Sequence, residues 1–190
     1  MTTKPKIYPL TSDRWSDFVQ LFGKNGACAG CWCMWWRVER KDYRAGQYAT
    51  NKRRMKKLVE SGEKPGLLAF AGREAVGWIA LAPREVYPGL ANARTLKPVD
   101  DKPVWSVTCF FVAKEHRGQG VTTQLLNAAA DYARKQGATL LEGYPNQPGA
   151  PWPDAGMYTG VVSAFEKARF KVVAKPSNSR RIMRRSLKSG

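Results

Sequence analysis

The stretch CFFVAKEHRGQGVTTQLL, residues 109–126, constrains the fold more than any other part of this chain. Together with the preceding PVWSVT, its first residues are β-branched or aromatic, which predicts a strand in the middle of a sheet. Two glycines follow, and apolar residues then recur at helical spacing until Gly137. A buried strand that runs through a glycine turn directly into a helix predicts a fold that mixes strands and helices.

The turn between this strand and this helix offers a place for an anion. The first N–H groups of a helix have no intrahelical partner and lie at the positive end of the helix dipole. Gly118 and Gly120 keep side chains away from these groups, so a phosphate or pyrophosphate fits there. Glycines are also common in tight turns that bind nothing, and the turn alone leaves both interpretations open.

The remaining elements predict an α/β fold, a mixed α+β sandwich in one domain that covers residues 1–190. Trp15, Phe18, Val19 and Phe22 recur at helical spacing, and a second amphipathic helix is expected over residues 47–64. Its inward residues are expected to be Tyr48, Met55, Leu58 and Val59. The other expected elements are strands at 6–10, 66–71, 74–83, 138–145, 170–174 and 180–187, a helical turn within 84–94, and a helix near 157–168.

The segment with the glycine turn resembles the acetyl-CoA-binding segment of the GNAT acyltransferase superfamily. In that family the helix start reads Arg or Gln, two residues, Gly, one residue, and Gly or Ala. Here these positions are Arg117, Gly118, Gln119, Gly120, Val121 and Thr122, of which Thr122 departs from the pattern. The order of elements over roughly residues 6–187 is also similar to the family. The resemblance implies a mostly antiparallel central sheet flanked by helices.

The resemblance also implies acetyl-CoA as co-substrate and direct transfer of its acetyl group to an amine, without a metal. In the family, the pantetheine arm pairs with the backbone of the central strand, and the pyrophosphate lies on the glycine turn. The cofactor-binding residues implied are Phe110, Phe111, Val112, Arg117, Gly118, Gln119, Gly120, Val121 and Thr122. The enzyme then has to hold the two substrates in line and to move protons.

Two positions depart from the family in the residues that move protons. The tyrosine that many members carry in the last helix is Phe165 here, and the family's asparagine seven residues earlier is Tyr158. Tyr158 is therefore the candidate acid, with packing as the alternative. The carboxylate that some members carry early in the central strand aligns with Ser106. Glu142 on the next strand is the candidate base, and a solvated edge carboxylate is an equally good interpretation.

The stretch GACAGCWCMWWR, residues 26–37, contains three of the four cysteines of the chain. Cys28, Cys31 and Cys33 supply three soft ligands, but a closed zinc site needs a fourth, and no second pair of cysteines follows. We therefore predict reduced, metal-free thiols within an apolar wall. The family places this segment over the acceptor, which makes Trp32, Trp35 and Trp36 candidate substrate-binding residues. An inert cover over the core is the alternative.

The net charge of +17 concerns the partners of the protein rather than its fold. Residues 40–57 hold eight basic residues against Asp42 alone, and a polycationic acceptor is disfavoured because this surface repels it. We expect a small-molecule amine that is neutral, aromatic or anionic. The alternatives are a nucleic-acid- or ribosome-associated enzyme that acts on a tRNA-linked or protein amine, and a domain that binds acyl-CoA without catalysis. Charge and aromatics alone support nucleic acid, which is not favoured.

The location expected from the sequence is the cytoplasm. No apolar run approaches the roughly 18 to 20 residues that span a bilayer, and the residues MTTKPKIYPL lack the apolar core of a signal peptide. We expect no contact with a membrane. The oligomeric state and the length of the acyl chain do not follow from the sequence.

Overall fold

The computed structural model describes residues 4–147 and 158–187, and within them seven strands form one sheet. The strands are β1 (Lys6–Pro9), β2 (Gly66–Ala71), β3 (Glu74–Pro83), β4 (Trp105–Val112), β5 (Leu140–Gly143), β6 (Lys171–Ala174) and β7 (Ile182–Ser186). Their order across the sheet is β1-β2-β3-β4-β5-β7-β6. All neighbours are antiparallel except β4 and β5, which are parallel. The predicted α/β fold with a mostly antiparallel sheet is confirmed.

Helices cover both faces of this sheet. They are α1 (Trp15–Phe22), α2 (Arg40–Ala45), α3 (Ala49–Glu60), α4 (Pro88–Ala91), α5 (Val121–Lys135) and α6 (Val162–Lys167). One apolar cluster joins α5 and α6 to one face, and a second cluster joins α1 and α3 to the other, around the fully buried Trp78. Since β4 is the middle strand, both clusters meet across it, as its apolar composition predicts.

Several local predictions fail where the chain leaves regular structure. Tyr48, expected to face inward, precedes α3 with φ 57° and is 52% exposed, so only Met55 and Val59 of that face are fully buried. Helix α2 was not predicted, because its short charged sequence carries no apolar period. The helix expected near 157–168 is α6 and begins only at Val162. The part of that prediction at residue 157 lies outside the described residues.

The helices of the described segments include none that is both long enough and apolar enough to cross a membrane.

Candidate functional site

Strands β4 and β5 separate in the middle of the sheet and leave a cleft. They pair only from Trp105 to Val107 on β4, and a bulge at Thr108 then bends β4 against β3. After β5 the chain turns away to other partners: the Asn146 N–H donates to Gly160 C=O at 2.9 Å. Among the described residues, the edge of β4 that faces β5 therefore has no neighbouring strand beyond Thr108.

The register of β3 and β4 decides which backbone groups face this cleft. Ala113 N–H donates to Val76 C=O at 2.9 Å, and hydrogen-bonded pairs alternate with non-bonded pairs in an antiparallel ladder. The backbone groups of Phe110 and Val112 therefore point away from β3 into the cleft, whereas those of Phe111 belong to the β3 ladder. Of the three residues predicted to pair with pantetheine, only Phe110 and Val112 direct their backbone groups into the cleft.

The N-terminus of α5 lies at one end of the cleft. Gly118 and Gly120 have φ of 74° and 78°, and a Cβ added at either position would meet nothing within 4 Å. The turn is therefore open to solvent above the first N–H groups of a 15-residue helix, which have no intrahelical partners. Gln119 Nε2 donates to Glu115 C=O at 2.8 Å, and this contact directs the side chain back along the turn. These features fit an anion as large as a pyrophosphate.

A groove of about 500 Å³ connects this turn with the open edge of β4. Arg117 and Thr122 line it at the turn, and the Arg117 Nε–H donates to the Val112 carbonyl at 3.1 Å. The other side is lined by Gly160 and Val161. The side chain of Val121, another predicted cofactor residue, is buried in the core cluster around α5 and does not line the groove.

A second cavity, of about 200 Å³, continues from the groove between β4 and the segment 26–37. The two share Ala27, Cys28, Phe110, Phe111 and Tyr158. Within the described segments no Asp, Glu, Lys, Arg or His lines this cavity, and its titratable groups are thiols and phenols. Its lining residues are Phe22, Ala27, Cys28, Ala29, Cys31, Cys33, Trp35, Trp36, Tyr43, Cys109, Phe110, Phe111 and Tyr158.

The wall that carries the cysteines is held in an unusual backbone conformation. Ala27, Ala29, Trp32 and Cys33 have φ of 68°, 46°, 47° and 61°, in the left-handed region that costs a non-glycine residue roughly 1–2 kcal/mol. Gly30 anchors the wall to α3, because its carbonyl accepts hydrogen bonds from the Asn51 amide and the Tyr48 N–H. A compact set of contacts therefore maintains the strained loop.

The tryptophans of this segment have different positions. Trp35 and Trp36 line the cavity, with their rings 6.4 Å apart at 85°. Trp32, which was predicted to bind substrate, is instead 3% exposed and stacks on Phe22 at 5.7 Å, outside the cavity lining. Its left-handed backbone turns the ring into the core, so the geometry favours the alternative that Trp32 covers the core.

The thiols of Cys28, Cys31, Cys33 and Cys109 are all free. The Trp78 Nε1–H donates to the Cys33 sulfur at 3.1 Å. Burial raises the pKa of Cys33, but hydrogen bonds from Cys109 and Trp78 outweigh it, and the net pKa is lowered. The contact with Cys33 is the largest cause that raises the pKa of Cys109, and burial of the Cys109 thiol adds to it. In the described residues no group of three or more His, Cys, Asp or Glu is arranged to hold a metal; the metal-free state stays a prediction.

Tyr158 lies where the groove and the cavity meet. Burial raises its pKa well above the ordinary value, and the neighbouring Cys109 adds to the effect. The phenol is therefore protonated at neutral pH and available to donate. The helix expected near 157–168 would have contained both Tyr158 and Phe165, but α6 begins at Val162, so Tyr158 lies before it and only Phe165 lies on it. Phe165 is fully buried against Phe110 and Phe170.

Glu142, the predicted base, lies outside the lining of both cavities. It is fully buried, and its carboxylate accepts hydrogen bonds from Arg184 Nε at 2.6 Å, Tyr144 OH at 2.7 Å and Arg84 Nη1 at 3.2 Å. Ser106 contacts the same Tyr144 hydroxyl at 2.8 Å. A carboxylate held by two guanidinium groups has no oxygen directed at the cleft, so the geometry favours a structural role over that of a base.

Two residues of the cavity had no role in the sequence reasoning. Tyr43 belongs to the basic stretch 40–57 and lines the cavity opposite Cys31. Cys109 looked like a core residue of a buried strand. Its position directly after the bulge brings it to the cavity, and neither a bulge nor a strand end gives a reliable signal in this sequence.

The sequence and the fold both have known relatives. The family model described as the acetyltransferase (GNAT) family matches residues 16–151. Comparison with curated protein sequences gives no match.

Among solved structures, the PaiA N-acetyltransferase of Thermoplasma acidophilum, in complex with coenzyme A, is 16% identical with a TM-score of 0.54 over 97% of this chain and 99% of that one. A Corynebacterium glutamicum protein described as histone acetyltransferase HPA2 and related acetyltransferase is 19% identical with a TM-score of 0.56 over 99% of both chains. An N-acetyltransferase of Staphylococcus aureus Mu50 is 11% identical, with a TM-score of 0.57 over 98% of this chain and 100% of that one. At these identities the structures show a shared fold.

Proposed function

The chain belongs to the GNAT acetyltransferase family, and is thus an acyltransferase; we propose that it acetylates the amine of a small aromatic or apolar molecule that carries no charge other than that of the amine itself. The observation that carries the proposal is the continuity of an open groove, which ends on a helix N-terminus, with an uncharged aromatic cavity. The groove has the features that a phosphate-bearing thioester needs, and the cavity has those of an apolar acceptor. Their junction brings the two substrates together.

Acetyl-CoA fits the groove on three grounds. The N–H groups from Gly118 to Thr122 suit its pyrophosphate, and the backbone groups that Phe110 and Val112 direct into the cleft suit its amide-containing arm, as an added strand. A solved relative of the same fold binds coenzyme A. When bound, acetyl-CoA supplies the activated acyl thioester, and this chain aligns it with the acceptor.

The acceptor class follows from the shape and polarity of the cavity. A volume of about 200 Å³ accommodates a ring, since cavities of about 150 Å³ bind benzene. Trp35, Trp36 and Tyr43 provide flat apolar surfaces, and the described lining offers no carboxylate for a polycation and no cation for an acid. From the sequence we expected a neutral, aromatic or anionic amine; the lining of the cavity favours the neutral and aromatic amines over the anionic ones.

Tyr158 is proposed as the acid of the reaction. Tyr158 lies at the junction of groove and cavity, and its raised pKa keeps the proton on the phenol until the thiolate leaves. The four free thiols fit a reducing compartment, and we propose the cytoplasm as the location of the reaction.

A thiol-release assay with acetyl-CoA and a panel of amines tests the proposed function. We expect release above the amine-free rate with arylalkylamines, weaker release with amino acids, and none with aminoglycosides. Matched alcohols, in which a hydroxyl replaces the amine, are the controls and should give no release. Rates at the amine-free level for every small amine, with release only for peptide or tRNA-linked amines, would contradict the proposal.

A further inference from the structure

The cavity lacks the usual groups that remove a proton from an amine. In the described residues, thiols and phenols are the only titratable groups of its lining, and Glu142 is held elsewhere by Arg84 and Arg184. An acceptor amine is protonated at neutral pH, and nitrogen attacks only after it loses a proton. The proposed function therefore requires a base that neither Glu142 nor any other described carboxylate supplies.

The structure assigns this role to Cys33: we infer that its sulfur takes the proton of the acceptor amine, an inference that rests on the proposed function. Cys33 lines the cavity, but only 6% of its surface is exposed to solvent. An acceptor bound in the cavity can therefore contact it, whereas bulk water is largely excluded. Its neighbour Cys109 is the first residue of β4 after the bulge. The sulfur therefore lies beside the start of the open strand edge, where the acyl donor would end.

The surroundings of the Cys33 sulfur are arranged for an acceptor of hydrogen bonds. Trp78, fully buried on β3, points its indole N–H at the sulfur over 3.1 Å, and an indole nitrogen can only donate. A donor aimed at sulfur stabilises the thiolate more than the thiol. The lowered pKa of Cys33 agrees with this geometry. The titratable and charged groups around it are Cys31, Arg37, Tyr87, Cys109 and Tyr158.

The backbone supports the same assignment. Trp32 and Cys33 are consecutive non-glycine residues with left-handed φ of 47° and 61°. Strain of this kind persists where the surrounding structure imposes it, and it is concentrated at functional sites. Here it turns the Trp32 ring into the core and the Cys33 side chain toward β3 and the cavity.

In the proposed reaction, Cys33 and Tyr158 both end in the protonation state in which they began. Cys33 takes one proton from the ammonium group of the acceptor, and the nitrogen then forms its bond to the acetyl carbon as the carbon–sulfur bond breaks. Tyr158 gives its proton to the departing thiolate and regains one from the nitrogen, which becomes an amide. Cys33 releases its proton to solvent. The products are the acetylated amine, a free thiol and one proton.

The pH dependence of kcat/KM for one acceptor amine, measured across variants, tests this inference. A base must be deprotonated to act, so activity is lost as the pH falls through the pKa of Cys33. Cys33→Ser should lower kcat/KM by about 100-fold or more and remove this limb of the profile. Trp78→Phe keeps an aromatic ring but removes the donor, and should move the limb to higher pH by about one unit. Trp105→Phe, the same change outside the cavity, should leave the limb in place.

A second measurement does not depend on activity. Ultraviolet titration of the thiolates in the folded wild-type protein should detect one cysteine that ionises below the ordinary range, and Cys33→Ser should lose this signal. The inference is overturned if Cys33→Ser keeps kcat/KM within about twofold and the same acid limb. It is also overturned if the low titration persists in that variant. Failure of the proposed function is a different result, an absence of amine acetylation by the wild-type protein.

Discussion

At the scale of single residues, Tyr158 and Glu142 show how burial changes the meaning of a titratable group. Both were candidates for proton transfer. Tyr158 borders both cavities, whereas Glu142 is enclosed by Arg84, Arg184 and Tyr144. Substitutions that remove the hydroxyl of Tyr158 or the charge of Glu142 distinguish a role in proton transfer from a role in stability.

Tyr158→Phe should lower kcat by about 100-fold, because the leaving thiolate then loses its proton donor. The Kd for acetyl-CoA should stay within about twofold, since the ring still lines the groove. Steady-state kinetics and calorimetric titration measure the two quantities. Tyr8→Phe, on the exposed surface of β1, is the matched control and should change neither. An unchanged kcat in Tyr158→Phe would assign the acid role to another group.

Glu142→Gln should destabilise the fold by about 3 to 5 kcal/mol, because it leaves the buried guanidinium of Arg184 with Asp100 alone and weakens the contact of Arg84. Urea unfolding measures this change. Glu60→Gln removes an exposed i,i+4 pair with Lys56 and should cost less than about 0.5 kcal/mol. The kcat of folded Glu142→Gln should equal that of the wild type. A collapse of kcat without loss of stability would restore Glu142 as the base.

At the scale of secondary-structure elements, the two ends of α5 can be compared directly, because a glycine with positive φ adjoins each of them. Gly120 precedes the helix and Gly137 follows it, with φ of 78° and 87°, and an added Cβ meets nothing within 4 Å at either position. A side chain at either glycine therefore costs a similar roughly 1–2 kcal/mol of backbone strain. Only the N-terminal position adjoins the proposed pyrophosphate site.

Gly120→Glu should weaken acetyl-CoA binding by about 100-fold or more, because the carboxylate repels the pyrophosphate at the positive end of the helix. Gly137→Glu should bind as the wild type does, since its charge lies at the opposite end. Calorimetry gives both affinities, and thermal unfolding should show similar losses of stability. Equal affinities in the two folded variants would refute the assignment of the groove to acetyl-CoA.

At the scale of the whole molecule, the net charge of +17 acts on ligands before they reach the groove. The exposed basic residues of α3 are Arg53, Lys56 and Lys57. Lys52 and Arg54 have structural contacts in addition, because Lys52 lies over the Trp32 ring at 5.0 Å and Arg54 donates to Asp42 C=O. The first three residues are therefore the ones to neutralise without disturbing the fold.

The triple variant with glutamine at Arg53, Lys56 and Lys57 should bind acetyl-CoA less tightly at low salt and with a smaller salt dependence. Its kcat at saturating substrates should match the wild type, because none of these residues lines either cavity. Kinetics at several salt concentrations measure both effects. A large loss of acceptor affinity would instead favour a nucleic-acid-linked acceptor.

The sequence by itself predicted most of the strands and helices and the glycine turn at one end of the cleft. Hydrophobic periodicity gives α1 and α5, alternation around Gly72 gives the β2–β3 hairpin, and the motif from Arg117 to Thr122 gives the turn. These features are local, because each depends on residues a few positions apart, whose spacing the sequence displays directly.

Only the tertiary structure revealed the cavity beside β4 and the surroundings of the titratable side chains near it. Cys33, Trp78 and Cys109 come together only because a loop with left-handed residues folds against β3 and against the bulge of β4. In the same way, the ion pairs of Glu142 form only because Arg84 and Arg184 reach it from two other elements. Burial and charge pairing arise between residues distant in the chain, so the ionisation of a side chain is set by neighbours that its own segment does not reveal.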